Sequence, residues 1–223
     1  MYAALGTCPD IAFMTQHLSQ FTNSYGLEHW TVIKHILCYL IGTWDDGILF
    51  RKDAGLEPWI YVDANYANHS DAKSISRYVA MLGGGSIAWS ARKQQTVSLS
   101  MTEAKYIALT EGAKELIWLR NTLQELGFDQ SPPTPIQCDN LGTITLSHDA
   151  TYHARTKHIN VAYHFICEKV TSNKVSLTYV RSKENLADLM TKGLEGHQFR
   201  YLQRKLGFTK VRGSVGIEKG VTA

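Results

Sequence analysis

Near residue 47 the apolar residues of this chain stop recurring every three or four positions and begin to alternate, and few folds accommodate that change. Upstream, residues 9–25 (PDIAFMTQHLSQFTNSY) and 28–43 (EHWTVIKHILCYLIGT) read as two helices, with Trp30, Ile33, Ile36, Leu37 and Leu40 on one stripe of the second. Asn23-Ser24-Tyr25-Gly26 supplies a glycine-terminated end between them. Two amphipathic helices make a poor domain alone, so they read as an appendage. Downstream, GILFRK and PWIYVDANY are predicted to pair through Asp53-Ala54-Gly55, and SRYVAMLGG and SIAWSARK across Gly83-Gly84-Gly85. A long helix near 101–126 follows, then the strand TPIQCDN behind prolines and a helical stretch over 141–171 broken near 149–152. KVSLTYVRS reads as a last strand, and KENLADLMTKGL and HQFRYLQRKLGF as closing helices. The order β-β-β-α-β-α-β-α predicts an α/β protein: a mixed sheet covered by helices, antiparallel in its first half and built from βαβ crossovers later.

Composition removes several function classes. A hydrophobic content of 44% with 10% aromatics argues for a packed core. No apolar run approaches the roughly 18 residues of a membrane span, and the N-terminus lacks the pattern of a secretory signal. Cys8, Cys38, Cys138 and Cys167 are scattered without a CxxC pair, which fits a reduced compartment with Cys138 and Cys167 as small core residues. The expected location is intracellular, in cytoplasm or nucleus, and not secreted. His148, His153, His158 and His164 lack HExxH spacing, which argues against a zinc hydrolase. Trp89 and Trp118 sit at alternating and helical spacing and read as core rather than stacking platforms. Ten Lys and Arg stand against 15 Asp and Glu over residues 1–150, and 13 against five over 151–223. A basic end beside an acidic region suits a polyanion bridged by cations, although a solvated surface gives the same count.

Four carboxylates then stand out, each at a place where a strand or helix begins or ends: Asp63, Glu103, Asp139 and Asp188. Asp63 shares a strand face with Trp59, Tyr61 and Asn65, opposite Ile60, Val62 and Ala64; its bland alternative is a pair with a nearby base. Glu103 fits a capping box opened by Ser100, yet shares a helix face with Ile107 that is expected to pack on the sheet and aim the acid at Asp63. Asp139 ends a strand and leads into a helix, so it is either an N-cap or a ligand-side residue at a carboxyl strand end. Asp188 lies in the first turns of a helix, where the dipole favours an acid without any function. Acids beside a core demand compensation, and a divalent cation is a common source. Together they point to metal-dependent phosphoryl transfer.

The order of these acids and the strings around them resemble the ribonuclease H region of copia-type LTR retrotransposon polyproteins. The likeness is carried by Asp63-Ala64-Asn65-Tyr66-Ala67, by Lys73-Ser74-Ile75-Ser76-Arg77-Tyr78-Val79, and by Leu82-Gly83-Gly84-Gly85-Ser86-Ile87-Ala88-Trp89-Ser90. It continues through the segment from Lys93 to Tyr106, Cys138-Asp139-Asn140, His153-Ala154-Arg155-Thr156-Lys157-His158-Ile159, and Glu184-Asn185-Leu186-Ala187-Asp188-Leu189-Met190-Thr191-Lys192. Cys8-Pro9-Asp10-Ile11-Ala12, Glu28-His29-Trp30 and Tyr39-Leu40-Ile41-Gly42-Thr43 look like the helical segment after a polymerase palm. Tyr61-Val62-Asp63-Ala64 is a false friend of the Tyr-x-Asp-Asp polymerase signature, because Ala64 removes the second acid. DNA synthesis by this chain is therefore not expected.

The resemblance implies a ribonuclease H-like five-stranded mixed sheet over residues 47–195, a helical reverse-transcriptase thumb or connection remnant over 1–46, and a C-terminal helix and tail over 196–223. It implies hydrolysis of the RNA strand of RNA–DNA hybrids with two Mg²⁺ ions, Mn²⁺ substituting, roughly 3.5–4 Å apart. Asp63, Glu103, Asp139 and Asp188 are the implied catalytic and metal-binding set, with Asp63 bridging. Ser100, Thr102 and Asn140 are candidates for reading the 2′-hydroxyl, and Arg155, Lys157 and His158 for holding backbone phosphate; each also reads as a cap, turn or solvated residue. The loop Val180-Arg181-Ser182-Lys183-Glu184 contains no histidine, unlike many ribonucleases H, which leaves His158 or no group for that role. Asn65 stands where related sequences often carry Asp. The implied partners are the hybrid and the polymerase part of the parent polyprotein, with no membrane. The alternative is a catalytically silent binding or scaffold module of the same fold; another nuclease of that fold, such as an integrase or resolvase, lacks these strings.

Overall fold

The computed structural model describes residues 1–66, 72–148 and 160–211, without the side chains of residues 146, 148 and 160–162. Helices α1 (Tyr2–Gly6), α2 (Ala12–Ser19) and α3 (Leu27–Gly42) precede strand β1 (Asp46–Ile48). Strands β2 (Trp59–Asn65), β3 (Ile75–Leu82) and β4 (Gly85–Lys93) lead to the 25-residue helix α4 (Met101–Glu125). Strand β5 (Thr134–Cys138), helices α5 (Leu141–His148) and α6 (Asn160–Thr171), strand β6 (Val175–Tyr179), helix α7 (Gly196–Lys205) and strand β7 (Phe208–Lys210) complete the order. The main sheet has five strands ordered β4-β3-β2-β5-β6, antiparallel through β4, β3 and β2 and parallel through β2, β5 and β6. This is the α/β architecture that the sequence predicts: a five-stranded mixed sheet, antiparallel in its first half and parallel in its second.

Strand alternation divides the core between the two faces of the sheet. Ile60 and Val62 of β2 and Ala80 of β3 pack with Leu109, Ala113 and Leu116 of α4 and Ile166 of α6. Their neighbours Val79 and Met81 face the other way, against Leu186, Leu189 and Met190 and against Leu202 and Leu206. Burying apolar side chains on both sides fixes register, since a one-residue slip would exchange the two sets. Helix α4 approaches β2 so closely that a Cβ on Gly112 would meet Val62 Cγ1 at 2.5 Å.

Several local expectations give way to tertiary context. GILFRK does not pair with β2; Asp46–Ile48 pairs antiparallel with Phe208–Lys210, which alternation within either segment cannot specify. Gly207 makes the entry to β7 possible, with φ +96° and a Cβ position 2.9 Å from Gly85 Cα. The expected helix over KENLADLMTKGL is two short 3₁₀ turns, Ser182–Glu184 and Leu186–Met190, because Asn185 between them has extended backbone (φ −73°, ψ 111°) and caps the second. The first helix ends at Ser19 rather than near residue 25. The expected break near 149–152 lies outside the described residues. Trp89 is half-buried and donates its indole N–H to the Ala4 carbonyl at 2.7 Å, whereas Trp118 is 61% exposed and not a core residue. No residue of α3 is buried, and Trp30, Leu37 and Ile41 are exposed.

Candidate active site

Strand register brings two of the acids together. In the parallel pair β2 and β5, Val62 stands beside Cys138. The next residue on each chain is an aspartate, Asp63 within β2 and Asp139 just past β5. Neighbouring strands lie about 4.8 Å apart, so both acids sit side by side at carboxyl strand ends, where α/β sheets hold ligands. Lys105, from the second turn of α4, bridges them: its Nζ lies 3.3 Å from Asp63 Oδ1 and donates to Asp139 Oδ1. Burial pulls the Lys105 ammonium down, but Asp63 and Asp139 outweigh it and hold its pKa above the usual lysine value. Ser182 Oγ donates to the other Asp139 oxygen at 2.7 Å.

Asp188 lies on a turn packed against the other face of the sheet, near enough for the charges of Asp63 and Asp139 to act on its carboxyl. The turn that carries it is tied to β2 by Asn185, whose Nδ2 donates to the Val62 carbonyl at 3.0 Å while its Oδ1 accepts the Ala187 amide at 3.1 Å. Burial raises the Asp188 carboxyl to about 6; Lys192, one helical turn on and 2.6 Å away, opposes this, and the negative charges of Asp63 and Asp139 add to it. Arg77 is the cross-strand partner of Asp63 on β3 and is 1% exposed. Burial lowers its pKa to about 10 against the opposing fields of Asp63 and Asp188. Its Nε and Nη1 have no hydrogen-bond partner among the described residues. A buried cation with unpaired donors is costly, and the nearby charges of Asp63 and Asp188 offset part of that cost.

Glu103 stands at the buried start of α4 and takes part in its cap. Ser100 Oγ accepts the Glu103 amide at 3.1 Å, and Glu103 Oε2 accepts the Leu99 amide at 2.7 Å. The stripe of α4 that meets the sheet here runs through Ala104 and Ala108, packed on Ala64, instead of through Glu103 and Ile107. Buried Gln94 braces this helix start: its Nε2 donates to Ser76 Oγ and to the Ala104 carbonyl, and its Oε1 accepts Ser98 Oγ. Among the described residues, no three His, Cys, Asp or Glu side chains are arranged to hold a metal ion together; an ammonium stands between two of the acids.

Of the expected substrate-reading residues, Ser100 is the α4 cap, and Asn140 caps α5 by accepting the Thr143 amide at 2.9 Å. Thr102 lies close to Asn140, since a Cβ on Gly142 would stand 3.1 Å from Asn140 Oδ1 and 4.0 Å from Thr102 Oγ1. Arg155, Lys157 and His158 lie outside the described residues. A cleft of about 420 Å³ opens beside Asp188, lined among others by Ser182, Lys183, Lys192, His197 and Gln198. A larger cavity of about 650 Å³ lies away from the acids, between α2, α3 and α7. Sequence reasoning singled out none of Lys105, Arg77, Lys192, Ser182 or Asn185. Only Lys192, four residues after Asp188, carried a readable local signal.

The fold and this cluster define an α/β protein, a five-stranded mixed sheet flanked by helices, with two acids side by side near the carboxyl ends of its central strands. No family model matches the chain. It is 41% identical over 210 residues to the retrovirus-related Pol polyprotein from transposon TNT 1-94 of Nicotiana tabacum, covering 93% of this chain and 16% of that polyprotein. It is 38% identical over 211 residues to the corresponding polyprotein from transposon RE2 of Arabidopsis thaliana, covering 94% of this chain and 14% of the relative. The chain is thus similar over nearly its whole length to a segment of these retrotransposon Pol polyproteins and spans about a sixth or less of theirs. Among solved structures, the RNase H1 LC11 isolated from compost matches with TM-score 0.46 and 13% identity over 60% of this chain and 91% of that one. The same enzyme in complex with an RNA/DNA hybrid gives TM-score 0.42 and 14% identity, covering 60% of this chain and 92% of that one. Among the described residues no helix is long and apolar enough to cross a membrane.

Proposed function

We propose that this chain is the ribonuclease H segment of a retrotransposon polyprotein and hydrolyses the RNA strand of RNA–DNA hybrids with Mg²⁺. The observation that carries the reading is the convergence of Asp63, Asp139 and Asp188 from three separate elements into one another's fields. The donor set fits a hard divalent cation, being carboxylate oxygen with no thiolate or imidazole among these acids. Asp63, Asp139 and Asp188 would hold the ions, and Glu103 would join once its carboxylate releases the Leu99 amide. Bound Mg²⁺, with Mn²⁺ as a substitute, supplies an activated water and charge neutralisation at the leaving oxygen. The chain's own groups orient the strand: Lys183, Lys192 and His197 line the adjoining cleft, where backbone phosphate fits, and Ser100, Thr102 and Asn140 flank the helix starts where a 2′-hydroxyl would be read. The parent polymerase is the natural partner that delivers such a hybrid.

A second reading has its own support. Lys105, Lys192 and Arg77 already neutralise these acids, so the fold does not require a metal, and the chain would then bind hybrid without cutting it. Purified protein is incubated with labelled RNA–DNA hybrid, duplex DNA and duplex RNA, with and without Mg²⁺. Cleavage confined to the hybrid and abolished in Asp139→Asn supports the first reading. Tight binding without turnover selects the second, and cutting of duplex DNA contradicts both.

A further inference from the structure

Lys105 stands between two of the acids that the proposed function assigns to holding metal. Its Nζ lies within ion-pair distance of Asp63 Oδ1 and Asp139 Oδ1 at once, while Ser182 holds the second Asp139 oxygen. The other cations differ in kind. Arg77 is packed within the sheet and nearly inaccessible, and Lys192 is half-exposed on Asp188 alone. Lys105 combines a flexible four-carbon stem with a compact charge, and among the described residues its ammonium is the one within ion-pair distance of two of these acids at once. A tethered ammonium is present at high local concentration whatever the solution contains. It neutralises the Asp63–Asp139 pair when metal is scarce, and it must withdraw before a divalent cation takes the same oxygens.

We propose that Lys105 is an internal competitor for metal: a positioning residue that holds the carboxylate pair closed without Mg²⁺ and sets the concentration at which the ion enters. This rests on the metal-dependent reading above and adds a residue that regulates it. Removing the ammonium leaves Asp63 and Asp139 repelling each other across a buried gap, so a divalent cation gains the interaction that Lys105 gave up. Unit charges a few ångströms apart interact strongly at protein-like dielectric constants, and the expected rise in Mg²⁺ affinity is at least about tenfold.

The experiment titrates Mg²⁺ into wild type, Lys105→Gln and Lys105→Arg by calorimetry, with Tm measured in parallel. Lys105→Gln is expected to bind Mg²⁺ at least about tenfold more tightly, to melt lower without metal and to gain more Tm from Mg²⁺ than wild type. Lys105→Arg keeps the charge and is expected to bind no more tightly than wild type. Should Lys105→Gln fail to fold, wild type alone decides: acetic anhydride labelling of Lys105, read by peptide mass spectrometry, is expected to rise when Mg²⁺ is added. Equal Mg²⁺ affinity in wild type and Lys105→Gln, or labelling indifferent to Mg²⁺ in a protein that binds it, overturns the competitor while leaving the nuclease reading intact. No Mg²⁺ binding by wild type or Lys105→Gln overturns both.

Discussion

Asn185 joins the turn that carries Asp188 to the strand that carries Asp63, and its removal gives a sharp test of how the site is held. The residue is 0% exposed. In Asn185→Ala the Ala187 amide loses its cap, a loss of about 1 kcal/mol. The Val62 carbonyl loses its side-chain donor in a buried setting, which costs about 1–3 kcal/mol. The sum is about 2–4 kcal/mol. With a urea slope of about 2 kcal/mol/M, the midpoint falls by roughly 1–2 M at unchanged slope. Asn185→Ser separates the contributions: a serine still caps the turn but is too short to span the 3.0 Å bond to Val62, so it recovers about 1 kcal/mol of the loss. Asn185→Asp keeps the cap and replaces the donor with a negative charge among Asp63 and Asp188, and is expected to fall at least as far as alanine. Equilibrium unfolding monitored by far-ultraviolet circular dichroism measures all three. If alanine and serine both lie within about 0.5 kcal/mol of wild type, the tie to β2 is not what holds the Asp188 turn.

Gly112→Ala places a methyl 2.5 Å from Val62 Cγ1; the expected cost is about 1–3 kcal/mol, read from urea midpoints. For pH dependence, Asp188 titrates near 6 when folded against an ordinary 3.8. Its ionised form therefore opposes folding above pH 6, and that penalty disappears as pH falls below the ordinary value. Metal-free protein is expected to gain on the order of 2–3 kcal/mol from Asp188 between pH 7 and pH 4, and urea unfolding of Asp188→Asn measured beside wild type isolates this contribution by lacking it. Asp10 is buried with its Oδ2 bound by Tyr39 and Gln203 and its Oδ1 without a hydrogen-bond partner among the described residues. Burial raises its pKa, so Asp10→Asn, which keeps an acceptor oxygen and sheds the charge, is expected to raise Tm at pH 7; a lower Tm refutes that account.

What the sequence disclosed and what it hid divide along a physical line. Local patterns carried their information well: Gly83 and Gly84 at positive φ close the β3–β4 hairpin, Ser100 caps α4 as its spacing to Glu103 predicts, and alternation assigned the two faces of β2. Partners separated by long stretches of chain were not legible. The pairing of 46–48 with 208–210 depends on α7 delivering β7, and nothing within either triplet encodes it. For the site, the acids were nameable because each interrupts an apolar pattern, whereas their counter-charges were not. Arg77 requires the β2–β3 register, and Lys105 requires the crossing of α4 over two strands. Asn185 reads as an ordinary polar residue until the turn it caps is folded against Val62.

The β1–β7 pair stitches the segment after α3 to the stretch after α7, with Val211 N–H adding one more rung on the Asp45 carbonyl. A recombinant version trimmed at residue 195 would discard β7 together with Leu202 and Leu206, baring Met81 and Leu189 on one side of the sheet and leaving residues 46–48 as an open edge for aggregation. Expression boundaries for this segment accordingly belong beyond Val211, and a protease-resistant fragment ending short of Phe208 would come from a rearranged molecule.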